Sequence, residues 1–276
     1  MNITEVRELL LGEPTEEQLA DLGRDERAGV KKLLAAYFKR KRQAEVERER
    51  FYKMLSYERQ YYGEGAKLIA GVDEAGRGPL AGPLVIAAVI LPEDVFISGL
   101  NDSKQLSAGK RDRLYDEVLQ KALAVSVNIV SVSNIDELNI YRATQQGMAE
   151  VLLHLDIKPD VALVDAMPVE AGSIKTVALV HGDALSASIA AASIIAKVTR
   201  DRIMEKLAAL YPAYGFAGNK GYGSREHMQA IDYEGATIWH RRSYEPVKSM
   251  NLKAVEKQEN ILYSPIKDGY EYEPQN

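Results

Sequence analysis

In the N-terminal part of the chain, apolar side chains recur three and four positions apart. Val30, Leu33, Leu34, Tyr37 and Phe38 form one stripe, and Lys31, Lys32, Lys39, Arg40, Lys41 and Arg42 run beside it. That period marks one face of an amphipathic helix, and residues 1–62 are predicted to be helical throughout. Thr15-Glu-Glu-Gln18 fits a capping box, and Gly12 and Gly23 stand where helices stop. Residues 25–62 hold no proline and one glycine, Gly29, which predicts a single long helix ending at a hinge, Gly63-Glu-Gly65.

From Lys67 the period shortens. Residues 68–73 read as a strand, and residues 84–91 are continuously apolar, as in a strand buried on both faces. Residues 107–124 form an amphipathic helical pattern, residues 124–132 alternate like a half-buried strand, and residues 135–155 read as one helix. Two short apolar strands follow, residues 158–166 with Asp165 near the end and residues 174–180 leading into His181-Gly-Asp183. The last long helix, residues 186–210, carries Ala187, Ala190, Ala191, Ala192 and Ala196, small enough for tight packing on a sheet. The succession predicts an α/β fold, a mixed central sheet flanked by helices. Before it lies an all-helical extension (residues 1–65). The main domain (66–250) closes with loops and short helices, and a polar tail without periodicity (251–276) ends the chain.

A chain of 276 residues with 46% hydrophobic content can bury one large core or two modest ones, which suits one domain with an appendage. Cysteine is absent, so disulfides and thiolate metal sites are excluded and a reducing cytoplasm is the expected setting. No signal peptide or membrane span is expected from the first residues or from any apolar run. The net charge of −5 argues against coating nucleic acid through bulk positive charge. The extension is nevertheless polarised: residues 1–23 carry one basic and six acidic side chains, residues 24–59 twelve basic and six acidic. That basic run reads equally as a nucleic-acid backbone contact or as a solvated helix face. Tyr52, Tyr57, Tyr61 and Tyr62 are expected to dock on the main domain, with stacking on bases as the alternative.

The chemistry concentrates in Ile69-Ala-Gly-Val-Asp-Glu-Ala-Gly-Arg-Gly-Pro-Leu-Ala-Gly-Pro83. Adjacent side chains on a strand face opposite ways, so Asp73 and Glu74 converge on one ion only if the strand stops or deforms there. Gly76 and Gly78 permit such a deformation and let a ligand approach the backbone, and Arg77 can fork onto a phosphate. Asp165 and Asp183 also fall at a strand end or in the passage to the next helix, where open α/β sheets place ligands. Convergent acids need a cation among them, and without cysteine an all-oxygen site for Mg²⁺ or Mn²⁺ is the expectation. Two such ions suit phosphodiester hydrolysis. Asp183 also has a helix N-cap as its alternative. Asp102, Asp160 and Asp201 read as caps, turns or ion pairs, and His181 and His240 as packing or hydrogen-bonding residues.

From about residue 67 to residue 248 the chain resembles bacterial ribonuclease HII, the type 2 ribonuclease H. Val72-Asp-Glu-Ala-Gly-Arg-Gly-Pro-Leu-Ala-Gly-Pro83 matches the family's most specific signature. Asn101-Asp-Ser-Lys104, Val164-Asp165, Gly182-Asp183, Ala190-Ala-Ala-Ser-Ile-Ile-Ala-Lys197, Lys220-Gly-Tyr-Gly223 and His240-Arg-Arg-Ser-Tyr-Glu-Pro-Val247 follow in its order. Gln105 and Tyr244 stand where the family often has Lys and Phe, and the helical extension resembles that of some Gram-positive members. The resemblance implies a ribonuclease H-like fold with Asp73, Glu74, Asp165 and Asp183 as catalytic, metal-binding acids. Gly76, Arg77 and Gly78 then read ribose 2′-hydroxyls, Tyr222 packs on the neighbouring sugar, and Lys104 and Lys197 contact phosphate or neutralise the acids. The implied substrates are RNA–DNA hybrids and duplex DNA holding single ribonucleotides, cut on the 5′ side by a monomer with two Mg²⁺ or Mn²⁺ ions. A ribonuclease HIII-like enzyme needing several consecutive ribonucleotides and a non-catalytic hybrid-binding protein are the alternatives. Gln258-Glu-Asn-Ile-Leu-Tyr263 suggests a weak sliding-clamp contact.

Overall fold

The computed structural model describes residues 1–250, and the predicted tail with its clamp-docking peptide lies outside the described residues. Four helices come first: α1 (Ile3–Leu11), α2 (Glu16–Gly23), α3 (Ala28–Met54) and α4 (Ser56–Gly63). The Thr15 capping box opens α2 as expected, and Asn2 with Glu5 makes a second one on α1. The long helix is not continuous. It breaks at Leu55 (φ −87°, ψ 11°), and although no glycine or proline marks the spot, Phe51, Met54 and Leu55 are drawn into the core there.

The sheet is built from β1 (Ile69–Ala75), β2 (Leu84–Ile90), β3 (Ala124–Val130), β4 (Val161–Asp165) and β5 (Lys175–Leu179), in the order β3-β2-β1-β4-β5. β2 is antiparallel to β1 and β3, whereas β1, β4 and β5 run parallel, so the sheet is mixed as predicted. Helices α5 (Ala108–Lys121), α6 (Val132–Leu138) and α7 (Ile140–Leu153) lie between strands, followed by α8 (Gly182–Leu185), α9 (Ala187–Leu210), α10 (Phe216–Asn219) and α11 (Arg225–Glu234). Residues 135–155 are two helices rather than one. Asn139 adopts φ 66°, and its side chain accepts from the N–H groups of Tyr141 and Arg142, so it both ends α6 and caps α7.

Helix α9 fits flush on one face of the sheet: Ala187, Ala190, Ala191, Ala192 and Ala196 are fully buried, and a β-carbon at Gly71 would overlap the backbone of Ser188 and Ile189. Helix α7 covers the other face, with Gly147 against Ile86. The extension packs in two parts. Val6, Leu10, Leu22 and Val30 form a small core of their own, whereas Phe51, Met54 and Leu55 join the α9 side of the sheet and Tyr61 packs with Ile69, Leu163 and Ile189. Tyr52, Tyr57 and Tyr62 dock beside them, as expected.

Candidate active site

Parallel pairing fixes where the acids go. Val72 lies opposite Val164 and Asp165 opposite Leu179, so the carboxyl ends of β1, β4 and β5 share one edge, with Asp183 in the single turn α8 just beyond β5. Asp73, Glu74, Asp165 and Asp183 therefore lie on one side of the molecule. The strand does not stop at Asp73 as the sequence suggested: β1 keeps its ladder with β2 through Ala75. Asp73 and Glu74 thus face opposite sides of β1. Among the described residues, no three histidine, aspartate or glutamate side chains ring a single point.

The acids nonetheless feel one another. Asp73 is buried and its carboxyl is pushed well up by burial, then by the charges of Glu74 and Asp165, while the Ser193 hydroxyl and the Glu74 N–H (2.7 Å) oppose the rise. Burial also raises Glu74, countered by Arg77 at 3.5 Å, and raises Asp183 together with the charges of Asp102 and Asp165. Asp165 Oδ1 accepts the Gly182 N–H at 2.7 Å, which ties β4 to α8. Asp183 does not cap α9; Ser186 does. Two partly exposed cations, Arg77 and Lys104 (3.9 Å from Asp183), stand against four acids. This all-oxygen, electron-rich set fits hard divalent cations.

Beyond β1 the chain turns at Gly76 (φ 100°) into a loop whose backbone is held from beneath. Arg241, fully buried, donates to the carbonyls of Gly76 (2.6 Å), Arg77 (2.8 Å) and Gly82 (2.9 Å), and the Tyr244 hydroxyl adds a bond to Arg77 O (2.6 Å). Arg200, equally buried, donates to Pro83, Lys220 and Ala81 carbonyls at 3.0–3.1 Å. Neither arginine forms an ion pair among the described residues. Burial and the nearby charge of Arg241 lower Arg200 to about 10. In a trans peptide the N–H points opposite to the C=O. With both carbonyls drawn toward Arg241, the N–H groups of Arg77 and Gly78 point away from it, and neither finds a protein acceptor among the described residues.

Tyr222 stands beside these donors: its ring lies 3.5 Å from where a β-carbon on Gly78 would sit, and the residue is 52% exposed. The N–H groups of Leu80 and Ala81 bond Gly221 O at 2.8 and 3.2 Å, locking the two loops together. Behind Tyr222 runs a buried histidine pair. The Thr237 N–H donates to His240 Nδ1 (2.9 Å), which places the His240 proton on Nε2 facing His227 Nε2 (3.0 Å), so His227 Nδ1–H donates to Tyr222 O (2.8 Å). His240 thus hydrogen-bonds as expected. Asp102 caps the turn at Lys104, Asp160 receives the N–H groups of Lys67 and Leu68, and Asp201 pairs with Lys197 (2.7 Å) and Arg111 (3.7 Å). Lys197 is therefore engaged by its own helix, while Lys104 reaches Asp183. Sequence reasoning assigned no role to Arg200, Arg241, His227 or Tyr244. Arg241 fell within a family motif, but nothing in the sequence gave either arginine its role, because their acceptors are backbone carbonyls.

A family model described as Ribonuclease HII matches residues 70–247, and one described as Ribonuclease HII N-terminal domain matches residues 2–62. Ribonuclease HII from Bacillus mycoides (strain KBAB4) is 50% identical over 238 residues, 86% of this chain and 92% of that protein. Among solved structures, ribonuclease H2 from Pyrococcus horikoshii OT3 superposes with a TM-score of 0.57 at 32% identity, covering 66% of this chain and 96% of that one. Ribonuclease HII of the Archaeoglobus fulgidus PCNA:RNase HII complex gives 0.55 at 30% identity, covering 69% and 97%. Half of the aligned positions are shared with a ribonuclease HII over most of both chains, and separate family models fall on the extension and on the sheet domain; the chain belongs to the ribonuclease HII family, endoribonucleases of the ribonuclease H type.

Proposed function

We propose that this protein hydrolyses the RNA strand of RNA–DNA hybrids and cuts on the 5′ side of single ribonucleotides embedded in duplex DNA, leaving 3′-hydroxyl and 5′-phosphate ends. The observation that carries this reading is the pair of N–H donors at Arg77 and Gly78, without a protein acceptor among the described residues, with the exposed Tyr222 beside Gly78 and the strand that carries Asp73 and Glu74 leading into the loop. A 2′-hydroxyl is what separates ribose from deoxyribose, and its oxygen accepts such donors. Two adjacent donors serve one ribose, which favours recognition of a single ribonucleotide over a requirement for several in a row. Arg241 and Tyr244 keep the loop carbonyls from competing for that position.

Asp73, Glu74, Asp165 and Asp183 would hold two Mg²⁺ or Mn²⁺ ions, and the chemistry such ions would supply is activation of a water and stabilisation of the leaving 3′-oxygen. Tyr222 packs on the sugar next to the one being read and so sets the register of the scissile phosphate. Lys104, 78% exposed at its side chain, is the phosphate contact this reading favours over Lys197. The same reading has the protein act as a cytoplasmic monomer; no helix among the described residues is long and apolar enough to cross a membrane. A weak sliding-clamp contact through residues 258–263 belongs to it too, supported by the PCNA complex of the Archaeoglobus relative.

Substituting Asp73→Asn separates catalysis from binding. The expected outcome is loss of cleavage with hybrid affinity retained in a gel-shift assay. Cleavage surviving the substitution would remove Asp73 from the chemistry and the reading with it.

A further inference from the structure

Asp183 sits in a helix of one turn, too short to hold itself in place, so its position is set by what grips its two ends. One end is fastened by the Gly182 N–H on Asp165 Oδ1. The other end is Ser186, whose N–H bonds Gly182 O at 2.8 Å and whose hydroxyl accepts the Ile189 N–H at 3.2 Å to cap α9. That hydroxyl has one proton to donate. It goes to Glu58 Oε1 at 2.6 Å, and the same oxygen accepts the Ser188 N–H at 2.9 Å. Glu58 belongs to α4, in the part of the chain matched by the separate N-terminal family model. It is 1% exposed, and its second oxygen, Oε2, has no partner among the described residues. A carboxyl buried in this way, with one oxygen unsatisfied, is retained against a desolvation cost that a neutral apolar residue would avoid.

The same extension grips the opposite wall. On α3, Glu47 and Arg50 are paired at 2.7 Å; Glu47 Oε1 accepts the Gly99 N–H (2.6 Å) and Arg50 donates to Leu100 O (2.7 Å). These bonds fix the peptide that leads into Asn101-Asp-Ser-Lys104, whose Ser103 bonds Ser193 (2.8 Å) and whose Lys104 faces Asp183. Phe51 of α3, which lies along the chain between Arg50 and Glu58, packs edge-on against Phe96 at 5.3 Å.

We propose that Glu58 is a positioning residue for the metal site: through Ser186 and α8 it holds Asp183 where a divalent cation needs it, making the helical extension a brace of the active site. The proposal rests on the metal-dependent nuclease reading above. Its consequence is that a residue of the extension governs cation affinity even when no nucleic acid is present, which a nucleic-acid arm would not do.

The test is calorimetric titration of Mn²⁺ into the full-length protein without nucleic acid, well below the melting temperature, for wild type, Glu58→Ala, Glu58→Gln and Asp183→Asn. Supporting groups behind metal ligands typically change affinity about 10- to 100-fold, so Glu58→Ala is expected to bind Mn²⁺ at least about tenfold more weakly. Glu58→Gln, whose carbonyl oxygen accepts the same two bonds, is expected to stay close to wild type. If Glu58→Ala does not fold by circular dichroism, Glu58→Asp takes its place, since a side chain one methylene shorter cannot reach Ser186. A stability loss with unchanged Mn²⁺ affinity would make Glu58 a packing residue only and overturn the proposal. Wild type that binds no Mn²⁺, or binds it equally with Asp183→Asn, would instead overturn the reading of the acids on which it stands.

Discussion

Gly76 and Arg200 occupy one another's space. At φ 100° a β-carbon on residue 76 would overlap the Arg200 guanidinium, which has nowhere to go because it is bonded to three carbonyls. Gly76→Ala is therefore expected to destabilise the protein by about 1–3 kcal/mol in urea denaturation. It should also slow cleavage about 10²-fold, the scale on which an ångström of misplacement acts. The His227–His240 pair makes a pH prediction. Burial lowers both, His240 to about 3 with the charge of His227 adding to the effect, whereas unfolded histidine titrates near 6.5. Below that value the unfolded chain binds protons that the folded pair refuses, so stability falls as pH drops from about 6.5 toward about 3. Thermal melts across that window should show a shallower decline for His240→Gln than for wild type; parallel slopes would mean the pair does not titrate between the two states. At this scale the turn at Gly76 was legible in the sequence, because few residues serve a backbone at positive φ, and so was the placing of the four acids at or just beyond strand ends. The buried arginines were not, since a guanidinium satisfied by carbonyls has no partner to spot along the chain.

At the scale of elements, hydrophobic period located all five strands and the long helices, because each has one apolar face or is apolar throughout. Two breaks escaped it. Leu55 ends α3 because core packing draws the chain inward, a tertiary cause with no local marker. Asn139 ends α6 by taking φ 66°, and asparagine inside a helical pattern is only mildly unfavourable, so its cap was invisible beforehand. Asn139→Ala removes the cap and places a β-carbon residue in the left-handed region, an expected loss of about 1–2 kcal/mol by chemical denaturation. A loss within error would mean that α6 and α7 are joined by packing alone. Glu58 illustrates the same limit: nothing in the sequence singles it out, and only the fold brings it to Ser186 and Ser188 at the start of α9.

For the whole molecule, charge and packing divide the extension differently. Its second half is woven into the sheet's core, while Lys31, Lys32, Lys39, Lys41 and Arg42 remain exposed on the first part of α3. If those side chains meet nucleic-acid phosphates, replacing them with Gln should weaken hybrid binding. The slope of log affinity against log salt should then flatten by about 0.9 for each duplex phosphate no longer neutralised. An unchanged slope would identify a solvated face. The sheet itself explains why the acids are gathered at one edge: three parallel strands deliver Asp73, Asp165 and the Asp183 turn there, and the loop after β1 starts from the same place. On the function proposed above, this edge reads one ribose and cuts beside it. The direct measurement is cleavage, with Mg²⁺ or Mn²⁺, of a DNA duplex carrying one ribonucleotide, alongside a duplex carrying four and an all-DNA control. The account predicts scission on the 5′ side of the lone ribonucleotide and an intact control; scission only of the four-ribonucleotide duplex, or of none, would contradict it.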